Sequence, residues 1–263
     1  MKKTLWRIFF VLCLLYGIAC AILFIKQQSI LFYPKSLPQD HVYRKGVEKL
    51  IEVDDGILLS CYWNKVQNPK GVILYLHGNK GNNRRCIRQS EMMEGLGYDI
   101  FMPDYRGFGK SQGALISDEQ FYQDAQTVYD FLKENYTENQ IVIVGYSMGS
   151  GPATYLAGIN KPKELFLLSP FKSIVDIKDR YIPIAPDFLI KFKFPNWKYL
   201  SQTTCPLTMF YASEDTVVNP ASTLALADYS DHEELIELKN TSHRGVIFNS
   251  QWKQKIQRRL SQQ

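Results

Sequence analysis

The apolar positions of the chain fall into three patterns. The first is an unbroken run. Ile8 to Ile25 reads IFFVLCLLYGIACAILFI, eighteen residues without a charge. At about 1.5 Å per residue, and with Leu5 and Trp6 added, this stretch is long enough to cross a hydrocarbon layer. It predicts a transmembrane anchor over residues 5–26. Lys2, Lys3 and Arg7 precede it and Lys26 follows it. That bias predicts a cytoplasmic N-terminus with the rest of the chain extracytoplasmic, periplasmic or luminal. A cleaved signal peptide is the competing reading, but the run is long for one and no A-x-A site closes it. A lipoprotein signal ending at Cys20 would want an aliphatic residue where Gly17 stands.

The second pattern is a pair of short runs. Residues 27–46, broken by Pro34 and Pro38, read as a juxtamembrane linker. VEKLIEV (47–53) and ILLSCYW (57–63) then read as strands about the turn signal Asp54-Asp55-Gly56.

The third pattern alternates short apolar runs with helical spacing. VILYL (72–76), YDIFM (98–102), IVIVG (141–145), LFLLS (165–169), LTMFY (207–211) and ELIEL (234–238) read as strands. Residues 84–96, 118–134, 148–159, 221–229 and 246–259 read as helices. Over 118–134, for instance, Phe121, Ala125, Val128, Phe131 and Leu132 recur at helical spacing. Together these predict an α/β fold: a mostly parallel sheet covered on both faces, with the first hairpin at one edge. One domain over 47–263 accommodates it. Between LFLLS and LTMFY an insertion rich in aromatics and proline, about 171–204, predicts a small cap.

Composition changes this picture little. A net charge of +5 is too mild to argue for nucleic acid as a partner. Cys13 and Cys20 fall in the predicted anchor. The remaining Cys61, Cys86 and Cys205 are odd in number and fit neither a zinc spacing nor an assignable disulfide.

Chemistry enters at residues 145–149, Gly-Tyr-Ser-Met-Gly, a G-x-S-x-G placed between a strand and a helix. A serine on so sharp a turn needs small residues on both sides, and its hydroxyl stands above the sheet. The helix that follows aims its free N–H groups at the same point. Ser147 is therefore the candidate nucleophile. Its base should follow a later strand. His243, in Asn240-Thr241-Ser242-His243-Arg244-Gly245, does so. His41 lies in the linker, and His232 sits in an acidic loop with no H-E-x-x-H pattern to suggest zinc. Asp215, after LTMFY, is the candidate orienting acid, with Glu214 the weaker rival. An oxyanion needs two N–H donors. The backbone N–H of Met148 supplies one. The loop His77-Gly78-Asn79-Lys80-Gly81 after VILYL supplies the other, with Asn79 the candidate and His77 a brace for the loop.

These motifs are HGN at 77–79, DYRGFGKS at 104–111, GYSMGSGPA at 145–153, D-x-x-V-x-P at 215–220 and SHRG at 242–245. In them the chain resembles the α/β-hydrolase superfamily over about residues 47–260. It is most similar to N-terminally membrane-anchored ABHD-type serine hydrolases, a pattern shared with prolyl-oligopeptidase-like enzymes. The resemblance implies the α/β-hydrolase fold, a Ser147–Asp215–His243 triad, Asn79 and Met148 at the oxyanion positions, and no metal or organic cofactor. Tyr146 departs from the Arg, Gln or His that relatives often carry before the serine, and it is a candidate substrate contact.

The expected reaction is hydrolysis of a carboxylic ester, or a thioester, through an acyl-enzyme. The aromatic cap and the anchor point to a lipid-like or acylated substrate. Lys191 to Tyr199 alternates bases with aromatics, which suits either a bilayer interface or a packed cap with its lysines in water. A peptidase of prolyl-oligopeptidase type is a second reading, though no large domain that would screen peptides is evident. A catalytically silent binding protein is a third, against which an intact apparent triad argues.

Overall fold

A computed structural model describes residues 2–54, 56–230 and 233–261. The strands are β1 (Tyr33–Pro34), β2 (Val47–Asp54), β3 (Ile57–Asn64), β4 (Val72–Leu76), β5 (Lys80–Gly81), β6 (Asp99–Pro103), β7 (Ile141–Tyr146), β8 (Glu164–Leu168), β9 (Leu207–Ala212) and β10 (Glu233–Leu238). The helices are α1 (Lys2–Leu31), α2 (Asn83–Ser90), α3 (Asp118–Lys133), α4 (Ser150–Ile159), α5 (Ile174–Tyr181), α6 (Asn196–Leu200), α7 (Pro220–Ala227) and α8 (Ser250–Ser261). Two residues named from the sequence, Asp55 of the hairpin turn and His232, lie outside the described residues.

Eight strands form one sheet in the order β10-β9-β8-β7-β4-β6-β3-β2. The pairs β2–β3 and β3–β6 are antiparallel and the remaining pairs are parallel. Successive residues of a strand face opposite sides, so a strand covered on both faces must be apolar throughout. β4 shows this. Val72, Leu74 and Leu76 pack into one layer with Phe121, Ala125 and Val128 of α3 and Leu156 of α4. Ile73 and Tyr75 pack into the other with Cys86 of α2 and Trp252 and Ile256 of α8. Each fully buried aliphatic side chain contributes about 1.5–3 kcal/mol, so the two layers together hold the sheet between its helices. The covered sheet is the α/β-hydrolase arrangement, with the loops at the carboxyl ends of the parallel strands left free for chemistry.

Three regions differ from the sequence reading. The first is the stretch expected to be a linker. Helix α1 runs on to Leu31, and the chain then packs down. Phe32 is 4% exposed and meets the rings of Phe108, Phe121 and Phe192 edge-on. Leu37 and Tyr43 are also buried. The apolar side chains within 27–46 find a groove on the domain, which a pattern of prolines cannot reveal. The second is the cap, where two short helices, α5 and α6, form that the sequence pattern does not mark. Here Phe192 and Phe194 lie inside the core while Lys191 and Lys193 point to solvent. The alternation of bases and aromatics is thus that of a packed cap. The third is a small parallel pairing of β1 with β5, which neither strand is long enough to announce in sequence.

Candidate active site

Ser147 follows the last residue of β7, and its backbone is left-handed, with φ of +52°. A non-glycine residue held there is strained, and surrounding structure must enforce it. The flanking glycines show how tightly. A Cβ on Gly145 would lie 2.6 Å from Ala153 Cβ, and one on Gly149 only 2.0 Å from the Leu76 carbonyl oxygen. Strand, turn and helix are in backbone contact at this point, and only glycine fits either side of the serine.

His243, in the loop after β10, reaches Ser147 across the end of the sheet. Its Nε2 lies 2.9 Å from Ser147 Oγ and its Nδ1 lies 2.7 Å from Asp215 Oδ2. The other Asp215 oxygen accepts the N–H groups of Val217 (2.9 Å) and Val218 (2.8 Å). Burial alone would raise the Asp215 carboxyl. The hydrogen bond and charge of His243, together with the Val218 and Val217 amides, outweigh it and hold the carboxyl below its ordinary value. The acid is therefore a fixed anion facing the imidazole. Glu214 makes no such contact and is exposed.

Tyr146 sits under the imidazole. Its ring stacks on His243 at 5.4 Å and its hydroxyl donates to the His243 carbonyl at 3.0 Å. Burial pushes its phenol well up, so it remains a neutral donor. The side chain lines the cleft, where a substrate could meet it, and also braces the base.

The loop after β4 forms the facing wall. His77 is fully buried, stacks on Tyr105 at 4.1 Å and holds its Nδ1 2.7 Å from the Gly78 carbonyl. It braces the loop and makes no contact with Ser147. The Asn79 side-chain amide is committed elsewhere, donating to the Leu31 carbonyl at 2.6 Å, while the Asn79 carbonyl accepts the Tyr33 N–H at 2.9 Å. What remains for an oxyanion is the Asn79 backbone N–H. Opposite it, Met148 lies in the single 3-10 turn Ser147–Gly149 that leads into α4, where helix-end N–H groups lack intrahelical partners. The loop 104–111 plays a supporting part. Arg106 grips Asp124 of α3 through two hydrogen bonds of 2.7 Å.

Ser147, His243, Tyr146 and Asn79 share a cleft of about 290 Å³, lined also by Ile30, Tyr33, Lys80, Arg85, Gln89, Val217 and Arg244. Sequence reasoning missed Ile30 and Tyr33, because they belong to the segment read as a linker. It also missed Lys80 and Arg85, which carry no motif of their own. Arg244 was in view as part of SHRG without a role. Among the described residues no cluster of His, Cys, Asp or Glu has the arrangement of a metal site.

The sheet order and the elbow are those of the α/β-hydrolase fold. Comparison with known proteins agrees. Residues 67–193 match the family described as serine aminopeptidase, S33. The chain is 31% identical over 179 residues to the lysophosphatidylserine lipase ABHD12 of Macaca fascicularis, covering 60% of this chain and 44% of that one. It is 32% identical over 182 residues to the ABHD12 of Xenopus tropicalis, covering 61% and 47%. The chain thus spans less than half the length of these relatives. Among solved structures, the Pyrococcus furiosus esterase PF2001 superposes with a TM-score of 0.70 at 20% identity, over 88% of this chain and 97% of that one. The chain has the α/β-hydrolase fold and is similar in sequence to the ABHD12 lipases.

Proposed function

We propose that this chain is a membrane-tethered serine hydrolase cleaving carboxylic esters of lipid-like acyl substrates. The observation that carries the reading is the Asp215–His243–Ser147 chain of hydrogen bonds, at 2.7 and 2.9 Å, ending on a serine held at φ of +52°. His243 Nε2 takes the Ser147 proton as Oγ attacks the acyl carbon. Asp215 fixes the imidazole tautomer and stabilises the imidazolium. The backbone N–H groups of Asn79 and Met148 receive the oxyanion, each such donor being worth about 3 kcal/mol in comparable sites. His243 then protonates the leaving alcohol, and water activated by the same base frees the acid. A thioester of the same acyl group would be attacked by the same atoms.

The walls of the cleft support the substrate class. Ile30, Tyr33 and Val217 offer apolar surface, and Lys80, Arg85 and Arg244 offer positive charge. This suits an acyl ester joined to an anionic headgroup. Lysophosphatidylserine, named in the description of the ABHD12 relatives, has that chemistry. The family description suggests an aminopeptidase as a second reading. An aminopeptidase must hold a substrate ammonium, and no carboxylate lines this cleft among the described residues.

Helix α1 supplies the tether. It is the one helix among the described residues long and apolar enough to cross a membrane, and its most apolar window is entirely unburied. Its flanking charges favour an extracytoplasmic domain.

The test is an ester series offered to the full chain in detergent: nitrophenyl esters of rising acyl length, then lysophosphatidylserine beside lysophosphatidylcholine. The proposal expects hydrolysis, a preference for the anionic lysolipid, and loss of that preference in Arg85→Ala with Arg244→Ala. Folded protein that cleaves none of these would overturn it.

A further inference from the structure

We infer that the tip of the cap, residues 182–188, is inserted into the acyl-chain region of the phospholipid leaflet beside α1. Three independent features of this segment point there.

The first is position. The cap is registered against α1 at two heights. Near the domain, Gln27 is 3% exposed and is held by both ends of its amide. Its Nε2 donates to the Leu189 carbonyl at 2.5 Å and its Oε1 accepts the Lys191 N–H at 2.8 Å. Farther out, Tyr16 Oη donates to the Ile184 carbonyl at 2.7 Å. From Gln27 back to Tyr16 is about 16 Å of helix at ~1.5 Å per residue, roughly half of a ~30 Å hydrocarbon core. If α1 lies in a membrane, the stretch from Ile184 up to the level of Leu189 lies beside it, with Ile184 the deeper.

The second is the surface they present. Ile182, Ile184 and Phe188 are 43%, 73% and 79% exposed, with the Tyr181 ring beside them 58% exposed. Apolar groups so exposed, continuous with the bare apolar surface of α1, fit a lipid partner. Basic residues stand at the shallow end: Lys191, over the Phe24 ring at 4.0 Å, and Lys26. They match the depth of lipid phosphates.

The third is the backbone. Hydrocarbon offers no hydrogen bonds, so an inserted loop must satisfy its own polar groups. Pro183 and Pro186 have no N–H to satisfy. The N–H groups of Ile182, Ala185, Leu189 and Ile190 donate to carbonyls within residues 178–187. Lys178, only 8% exposed, donates to the Ala185 carbonyl at 2.9 Å and sits between the carboxylates of Asp179 and Asp187, the latter at 2.6 Å, so the carboxylate near the tip has a cation against it. Tyr16 and Ile184 likewise satisfy each other at a depth where neither would find water. The insertion would set the cleft of the proposed hydrolase against the leaflet that supplies its substrate.

The inference rests on α1 being a membrane tether, and the test separates the two. The full chain is reconstituted in phosphatidylcholine vesicles with plain or acyl-brominated lipids, and tryptophan emission is read. Trp6, in a Trp197→Phe background, reports the tether. Phe188→Trp, in a Trp6→Phe and Trp197→Phe background, reports the cap. Each is read as the difference from the Trp6→Phe, Trp197→Phe chain, in which only the buried Trp63 and Trp252 emit. The inference predicts that brominated lipid quenches both reporters and that acrylamide in the water quenches the Phe188→Trp reporter little. Quenching of Trp6 with none of the Phe188→Trp reporter would overturn the insertion and leave the tether standing. The same result with dimers in crosslinking would assign the surface to a second copy. No quenching of Trp6 would remove the ground from both. As a second arm, Ile184→Asp with Phe188→Asp should keep full turnover of a soluble short-chain ester and lose turnover of a long-chain ester presented in vesicles. Equal turnover of both would contradict the inference.

Discussion

At the scale of single residues, the site is built by exclusion. Gly145 and Gly149 permit the turn because nothing larger fits, and the turn in turn forces Ser147 into a left-handed backbone. Gly149→Ala must push the Leu76 carbonyl, and with it the end of β4, out of place. We expect it to destabilise the domain by about 3 kcal/mol or more, measured by urea denaturation. Asp215→Asn is a different kind of change. Asn219 and the Val217 and Val218 amides can keep the loop in place, but an amide donor would face His243 Nδ1 and select the wrong tautomer. Turnover should fall by about 10⁴ with the melting temperature nearly unchanged. A variant that keeps a tenth of wild-type turnover would show that Asp215 does not orient the base. These residues were legible in the sequence because each is announced locally: a serine between glycines after a strand, an acid and a histidine each just after a later strand. Gln27, Phe32 and Tyr33 were not, since nothing in a short helix end and two prolines tells what they will pack against.

At the scale of elements, the sheet follows from its strands. A strand such as IVIVG, apolar at every position, has no solvent face to offer and must lie between two layers. The helices stand where the pattern puts them, with ends displaced by a few residues; 246–259, for instance, divides into a 3-10 turn and α8, which runs on to Ser261. The cap helices α5 and α6 were not read, because prolines and aromatics mask so few turns of periodicity. The cap is fastened to α3 through Asp118, whose Oδ2 accepts the N–H groups of Lys193 (3.0 Å) and Phe194 (2.9 Å). Burial pushes this carboxyl up to about 6, while its neighbour Glu119 moves below its ordinary value. An unfolded aspartate titrates near ~3.9. Between these values the folded chain holds a proton that the unfolded chain has lost, so this group's contribution to stability falls as pH rises from about 4 to 6. Asp118→Asn should flatten that part of the profile of melting temperature against pH. Equal slopes in the two proteins would contradict the assignment. Phe32, the plug between the segment after α1 and the core, gives a second expectation here. Phe32→Ala should cost about 3–5 kcal/mol of stability, by the same denaturation.

At the scale of the whole molecule, the segment that follows α1 and the site are one structure. The stretch after α1 crosses the loop that carries Asn79. Leu31 accepts from the Asn79 side chain, Tyr33 donates to its carbonyl, and Lys35 donates to the Gly81 carbonyl. A chain lacking residues 1–26 keeps all of these contacts and should keep turnover of a soluble short-chain ester. A chain lacking residues 1–37 loses them, along with Phe32, and should lose that turnover. Equal activity in both truncations would show that the segment is only a spacer.

The central claim is that Ser147 is a nucleophile activated by His243. The most direct measurement is the intact mass of the detergent-solubilised chain after exposure to a fluorophosphonate, with the adduct mapped by peptide sequencing, beside Ser147→Ala and His243→Ala. The account predicts one adduct on Ser147 in the wild type and none in either variant. Unmodified, well-folded wild type, or an adduct that persists in Ser147→Ala, would contradict it.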